Sequence, residues 1–373
     1  MSGTGVLSGT GLGGFTRPSV RTEHAMTVIV EGTRVYVGVD THADVHHVAV
    51  VDELGRGLGD HGFPTTPTGY RTLSAWCQQF GVVAVAGVEG TSSYGAALTC
   101  HLRGVGMTVV EVDRPDRKSR RLQGKSDPLD AYSAARAVAA GRATGVPKGK
   151  DGLVESICCL HVARRSAIKA RTQAINQIRG LLVSGPVRLR EQSRGLSRKS
   201  LIATMAHLRP GSGASDPEVA VRITVRSLAR QCHDLNTEIA TLEGHLTDLT
   251  RQAAPALLER PGFGIDTVAQ LLITVGDNPE RLRSEAAFAW LAGVAPIPAS
   301  SGRTDRHQLS RSGNRQANRA LHIVVLVRMH CDERTRTYVQ RRTQQGLGKK
   351  DIIRCLKRAV AREAFHALRP AIT

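Results

Sequence analysis

Aromatic side chains are scarce in this 373-residue chain, at 2 Trp, 5 Tyr and 6 Phe. Base stacking on aromatic platforms, the usual device of single-strand binders and RNA-binding sheets, has few residues to work with. The 7 cysteines (Cys77, Cys100, Cys158, Cys159, Cys232, Cys331, Cys355) form no C-x-x-C pair and have no histidine at zinc spacing. That argues against structural zinc and a disulfide framework, and suits reduced thiols in a cytosol. No apolar run approaches the ~18 residues that span a bilayer. The first 26 residues, rich in Gly, Ser and Thr, hold Arg17 and Arg21 late and contain no apolar segment. They do not read as a secretory signal, and Met26 is an alternative start. Acids are outnumbered, with 51 Lys+Arg against 32 Asp+Glu and a formal charge of +19. Such an excess must face a polyanion or solvent, and Arg and Lys contact with phosphate is the expectation.

What is present is ample core material, 41% hydrophobic residues, in a chain long enough for two or three domains. From Arg34 to Asp113, β-rich runs alternate with turn signals: Val35 to Val39 leading into Asp40, Val48 to Val51, a Gly-rich turn from Gly55 to Gly62, a helical stretch near Tyr70 to Phe80, Val82 to Val88, and Met107 to Val112. This order is an α/β pattern with one mixed sheet. A helix follows Ser126-Asp127-Pro128, with Pro at an allowed first-turn position. Gly141 to Gly152 reads as a linker. The stretch from Leu153 to about Val183 is helical and basic, carrying Arg164, Arg165, Lys169, Arg171 and Arg179. The next helix sets Val221, Val225, Leu228, Cys232, Leu235, Ile239, Leu242, Leu246 and Leu249 at alternating spacings of four and three. That is an a/d heptad stripe, able to fold back on the preceding helix or to pair between chains. From Pro261 the chain reads as almost wholly helical, apart from a Gly/Ser/Arg loop between Pro296 and Asn314. The expected organisation is a disordered extension over 1–33, an α/β catalytic domain over 34–150, a helical coiled-coil linker over 151–255 and an all-α C-terminal domain over 256–373.

Three constellations carry chemistry. The first is Asp40 and Glu89 at strand ends, with Asp127 and Asp130 three apart at a helix start. Ends of neighbouring strands converge, and residues three apart share a helix face. Two divalent cations ~4 Å apart need about four carboxylates around them. Taken singly, Asp127 is also a helix N-cap, Asp40 a turn residue and Glu89 a solvated strand end. Arg114, Arg117, Lys118, Arg120, Arg121 and Lys125 run directly into the Asp127/Asp130 pair, placing backbone-binding charge beside the acids. The second is Pro261-Gly262-Phe263-Gly264-Ile265-Asp266, a helix-hairpin-helix-like signal in which Gly262 and Gly264 allow a close backbone approach to phosphate, or else an ordinary turn between helices. The third is Ser300-Ser301-Gly302-Arg303, followed by Arg311 and Arg315. A hydroxyl ringed by guanidinium groups can act as a nucleophile, although a flexible turn reads the same way and no local base activates it.

Taken in order, Val37-Gly38-Val39-Asp40-Thr41-His42, Val88-Glu89-Gly90-Thr91, Lys125-Ser126-Asp127-Pro128-Leu129-Asp130-Ala131, Pro261-Gly262-Phe263-Gly264, Ser300-Ser301-Gly302-Arg303 and Ser312-Gly313-Asn314 resemble the transposases of insertion-sequence family one-ten, relatives of Piv-type DNA invertases. The resemblance covers Arg34 to about His366. It implies an RNase H-like (RuvC-like) N-terminal domain in which Asp40, Glu89, Asp127 and Asp130 bind Mg²⁺ or Mn²⁺, and a C-terminal transposase domain. There Ser301, with Ser300 as the alternative, attacks DNA to form a covalent intermediate. It also implies double-stranded DNA as partner, a structured guide RNA, a dimer or tetramer that uses the heptad helix, and a cytoplasmic, nucleoid-associated enzyme. The extension before Val35 departs from the family, whose catalytic Asp lies nearer the start. Two other readings remain: a Holliday-junction-type metal nuclease using water, and a non-catalytic nucleic-acid-binding protein.

Overall fold

The computed structural model describes residues 32–112, 126–278, 281, 283–303, 307–309 and 313–372. The Arg114 to Lys125 cationic run and Arg311 lie outside them. Strand β1 (Arg34–Asp40) pairs antiparallel with β2 (Val45–Val51), and β2 pairs with β3 (Gly57–Pro64). On its other side β1 runs parallel to β4 (Val82–Glu89), which runs parallel to β5 (Val109–Val112), giving the order β3-β2-β1-β4-β5. The strands alternate. Val35, Val37 and Val39 pack with Leu73, Leu98 and Leu102 of helices α1 (Pro67–Gln78) and α2 (Ala96–Gly104). The intervening side chains face α3 (Asp127–Ala139), which packs Ala134 and Val138 against Val112.

Two departures from the expected pattern lie in this sheet and its exit. The Gly-rich stretch is largely strand β3, because its glycines make room for rings: a Cβ at Gly57 would sit 2.9 Å from Tyr132, and one at Gly59 2.9 Å from Phe80. Pairing with β2 outweighs glycine's poor strand propensity. The linker is also fastened down. Lys148 Nζ donates to the Ile273 carbonyl, Gly149 N–H to Asn278 Oδ1, and Gly145 bridges to Glu111.

Helix α4 (Leu153–Ser184) and α7 (Pro217–Ala253) form an antiparallel pair within the chain. The chain itself takes up one row of the heptad stripe. Val225, Cys232, Ile239, Leu246 and Ala253, seven apart, are the buried seam, whereas Leu235 and Leu242 of the alternate positions are only half buried. At one end the pair closes a small core with α5 (Val187–Ser193) and α6 (Arg198–Ala206), built on Ile178, Leu182, Leu189, Met205 and Val225. At the other end Val154, Ile157 and Leu246 enter a larger core with Leu271, Phe288, Leu321 and Phe365. The helices there are α8 (Pro255–Leu258), α9 (Ile265–Val275), α10 (Glu285–Leu291), α11 (Arg315–Cys331), α12 (Glu333–Gln344) and α13 (Lys349–Ile372). The expected Gly/Ser/Arg loop contains two short paired strands, β6 (Pro296–Pro298) and β7 (His307–Leu309). Among the described residues no helix is long and apolar enough to cross a membrane.

Candidate metal centre and serine hairpin

Asp40 closes β1 and Glu89 closes β4, each one residue beyond the Val39/Val88 register pair. With side chains alternating along a strand, both lie on the face that receives α3. That approach is close because glycines line it. A Cβ on Gly38 would sit 2.1 Å from Ala135 N and 2.3 Å from Ala131 O, and one on Gly87 2.3 Å from Val138. Helix α3 therefore lies directly on the sheet with its N-terminal turn over the ends of β1 and β4. Asp127 and Asp130 both belong to that turn, where backbone N–H groups favour negative charge.

Asp40 and Asp130 are buried, at 6% and 4% exposure, whereas Asp127 is open to solvent. His42 lies between carboxylates, its Nε2 3.2 Å from Asp40 Oδ2 and 3.4 Å from Asp127 Oδ1. Each of these three side chains offers a ligand atom within 4.8 Å of the others. In an octahedral shell with ligands at ~2.1 Å, adjacent ligand atoms stand ~3 Å apart, so this donor set fits one divalent cation. Burial pushes the Asp40 carboxyl above its ordinary range; His42 pulls it back, and the charges of Asp130 and Asp127 add to the rise. A cluster with excess negative charge of this kind gains from a cation. The loop after β1 is held in place: Thr41 Oγ1 donates to the Glu89 carbonyl, and His42 N–H donates to His46 Nδ1. His46 is fully buried, stacked on Tyr70, and burial with His42 nearby keeps its pKa low. Its ring is thereby kept neutral, as an Nδ1 acceptor must be. His42 and His46 are functional candidates that the sequence reading did not single out.

The second site is the β6–β7 hairpin. Ser300, Ser301, Gly302 and Arg303 are all exposed beyond Pro298, and Gly302 takes a left-handed backbone with φ +56°. Among the described residues no imidazole or carboxylate hydrogen-bonds the Ser301 hydroxyl. The hairpin returns to the core through Gly313 and Asn314. A Cβ at Gly313 would meet the Trp290 carbonyl at 2.5 Å, and Asn314 Oδ1 caps α11 by accepting from Gln316 and Ala317 N–H.

Residues 37–185 match the DEDD transposase model of IS110 elements, and residues 254–340 match that of the transposase IS116/IS110/IS902 family. The two matched segments contain the carboxylate cluster and the hairpin respectively. This chain belongs to the IS110 transposase family. It is 27% identical over 369 residues to the 43.6 kDa protein of insertion element IS110 from Streptomyces coelicolor, covering 85% of this chain and 89% of that one. It is 26% identical to the IS117 mini-circle protein of the same organism, over 72% and 78% of the two chains. To the 42 kDa protein of IS900 from Mycobacterium paratuberculosis it is 30% identical over 132 residues, 35% of this chain and 33% of that one.

In this IS110-family chain the remaining expected residues fall at different places. Gly262 has φ +82° and packs 3.1 Å, at its hypothetical Cβ, from the Val324 carbonyl, so its small size serves the contact with α11. Gly264 is exposed with open space around it and precedes α9. The preceding helix, α8, is only four residues long. The α9 N-terminal turn already carries Asp266, which accepts from Arg164 at 2.7 Å and pairs with His161 at 3.1 Å. Arg303 lies in the connection between β6 and β7 and Arg315 opens α11, and both are exposed.

Proposed function

We propose that this transposase excises and inserts DNA with two centres, a metal-binding carboxylate set in an RNase H-like domain and a serine nucleophile on the β6–β7 hairpin. The observation that carries the reading is the meeting of Asp40 and His42, from the end of β1 and the loop after it, with Asp127 of α3, more than 80 residues along the chain, with Asp130 buried in the same turn of α3. Asp40, Glu89, Asp127 and Asp130, joined by His42, would hold Mg²⁺ or Mn²⁺. A cation there would polarise a phosphodiester and stabilise charge on attacking and leaving oxygens. The sheet order and the helix laid on its glycine-lined face support the RNase H-like reading.

At the hairpin, Ser301 Oγ attacks the phosphorus. The Oγ–P bond forms as the P–O bond to the leaving sugar oxygen breaks, and that oxygen takes up the proton given up by the serine. No water is consumed, so the phosphoester can be passed to the hydroxyl of a second strand. Arg303, Arg311 and Arg315 lie close in sequence to the adduct they would stabilise. The half-buried Leu235 and Leu242 on α7 support a homo-oligomer through the helical pair. A charge of +19 with 13 aromatic residues in 373 supports backbone recognition of DNA, with a guide RNA reading sequence by base pairing. The basic run from Arg114 to Lys125 and the turn at Gly264 are further backbone contacts in this reading. A water-using nuclease is the second reading, favoured by the lack of a base hydrogen-bonded to Ser301 among the described residues.

The test is a strand-joining assay with purified chain, element-end DNA, its RNA and Mg²⁺ or Mn²⁺. Asp40→Asn and Ser301→Ala should each abolish joined product while duplex affinity stays at the wild-type level. Joining by Ser301→Ala but not by Ser300→Ala moves the nucleophile by one residue, and joining by both removes the serine from the mechanism.

A further inference from the structure

Between the β6–β7 hairpin and α13 lies a groove of about 1060 Å³. Its lining carries Arg342, Arg354, Lys357, Arg358 and His307, with Asp351 the one acid among the described lining residues. Asp351 is engaged by Arg354 at 2.7 Å. Arg358 approaches Glu285 only to 3.9 Å, and its Nη1 is buried with no hydrogen-bond partner among the described residues; the same holds for Arg342 Nε. Lys357 is the most informative member. It is 8% exposed, and its Nζ donates to Asn318 Oδ1 at 2.9 Å. No described carboxylate pairs with it. Burial and the neighbouring Arg354 both push its pKa down. A buried ammonium without a counter-ion is costly. Asn318 is already fixed by its own bonds to the Ala292 and Gly293 carbonyls, so holding it needs a hydrogen-bond donor but no charge.

We propose that this groove is a phosphate-backbone channel for duplex DNA, with Lys357 as a buried phosphate-binding group and Arg342, Arg354 and Arg358 along its wall. It rests on the reading that the hairpin acts on DNA, because β7 of that hairpin forms one side of the groove. A phosphodiester oxygen supplies the negative charge that the described residues lack, and every base sequence offers one. Binding here is therefore independent of sequence, and it positions a strand beside Ser301.

The test is fluorescence anisotropy of a short labelled duplex with the full chain across a salt series, for wild type, Lys357→Met and Arg354→Gln, alongside thermal melting. Lys357→Met keeps the stem and removes the charge, so it should weaken binding about tenfold while the melting temperature holds or rises. Each variant should flatten the log–log salt dependence by about 0.9 per lost phosphate contact. A lowered melting temperature in Lys357→Met with unchanged affinity overturns the proposal and leaves Lys357 a structural residue. An unchanged salt slope in Arg354→Gln overturns it whether or not Lys357→Met folds. An effect confined to an RNA probe overturns the assignment to DNA. These outcomes leave the two-centre reading standing, because Ser301→Ala should bind the duplex as wild type does. A wild-type chain with no duplex affinity contradicts that reading instead.

Discussion

Replacing Gly38 with alanine should separate the carboxylates without touching any of them. The added methyl would sit 2.1 Å from Ala135 N and 2.3 Å from Ala131 O, both backbone atoms of α3 that no side-chain rotation can move. Non-bonded carbon contacts settle near ~3.5 Å, so α3 must retreat by more than about 1 Å from β1, carrying Asp127 and Asp130 with it. Overpacking of this kind costs about 1–3 kcal/mol, several degrees of melting temperature. A ~1 Å misplacement in a catalytic constellation can cost on the order of 100-fold, so the loss of Mn²⁺ affinity should be tenfold or more. Calorimetric titration of Mn²⁺ into Gly38→Ala, with circular dichroism to confirm folding, reads both quantities. A folded Gly38→Ala variant with wild-type Mn²⁺ affinity would refute the claim that close packing of α3 builds the site.

His42→Gln should remove the nitrogen coupling from the pulsed EPR spectrum of bound Mn²⁺; a wild-type spectrum lacking that coupling means His42 is a neighbour of the site and not a ligand. At the joint between α4, α7 and α9, the His161 hydrogen bond and the adjacent Arg164 hold the Asp266 carboxyl below its usual range, against the opposing effect of burial. A depressed folded-state pKa gives stability that is present above the unfolded value of ~3.9 and is lost as pH falls through the folded value. Asp266→Asn should therefore melt lower than wild type at pH 7, by no more than about 1 kcal/mol for so exposed a group, and the gap should close below about pH 4; a gap independent of pH contradicts the ion pairing. Leu235→Glu with Leu242→Glu should shift the chain to monomer in sedimentation without lowering its melting temperature, and an unchanged mass means the helical pair does not mediate assembly.

Part of the candidate metal site was legible in the chain itself. Asp40 and Glu89 each follow a near-continuous apolar strand, and Asp127 and Asp130 have the spacing of one helix face; of these four acids, Asp40 and Asp127 belong to the group within ligand distance. His42 was not legible as a member, because a histidine two residues past a strand end is commonplace; only α3 folding over the loop brings Asp127 to it. Strand β3 was obscured because Gly57, Gly59 and Gly62 signal a turn locally, while the rings of Tyr132 and Phe80 that occupy the missing side-chain space at Gly57 and Gly59 come from farther along the sequence. The heptad stripe announced a helical partner but could not say whose helix it was. That depended on the match of Val225, Cys232 and Leu246 to α4 in the same chain. Lys357 offered no signal at all, since its burial arises from α13 packing against α11, a contact that periodicity does not encode.

The most direct measurement is mass spectrometry of the covalent species. The purified chain is incubated with element-end DNA, RNA and Mg²⁺, quenched, digested with nuclease and protease, and the serine-loop peptide is sequenced. A nucleotide mass on Ser301, absent from the Asp40→Asn variant, is the expected result. Metal-dependent DNA cleavage with no nucleotide on either Ser301 or Ser300 would contradict the serine mechanism and leave a hydrolytic nuclease in its place.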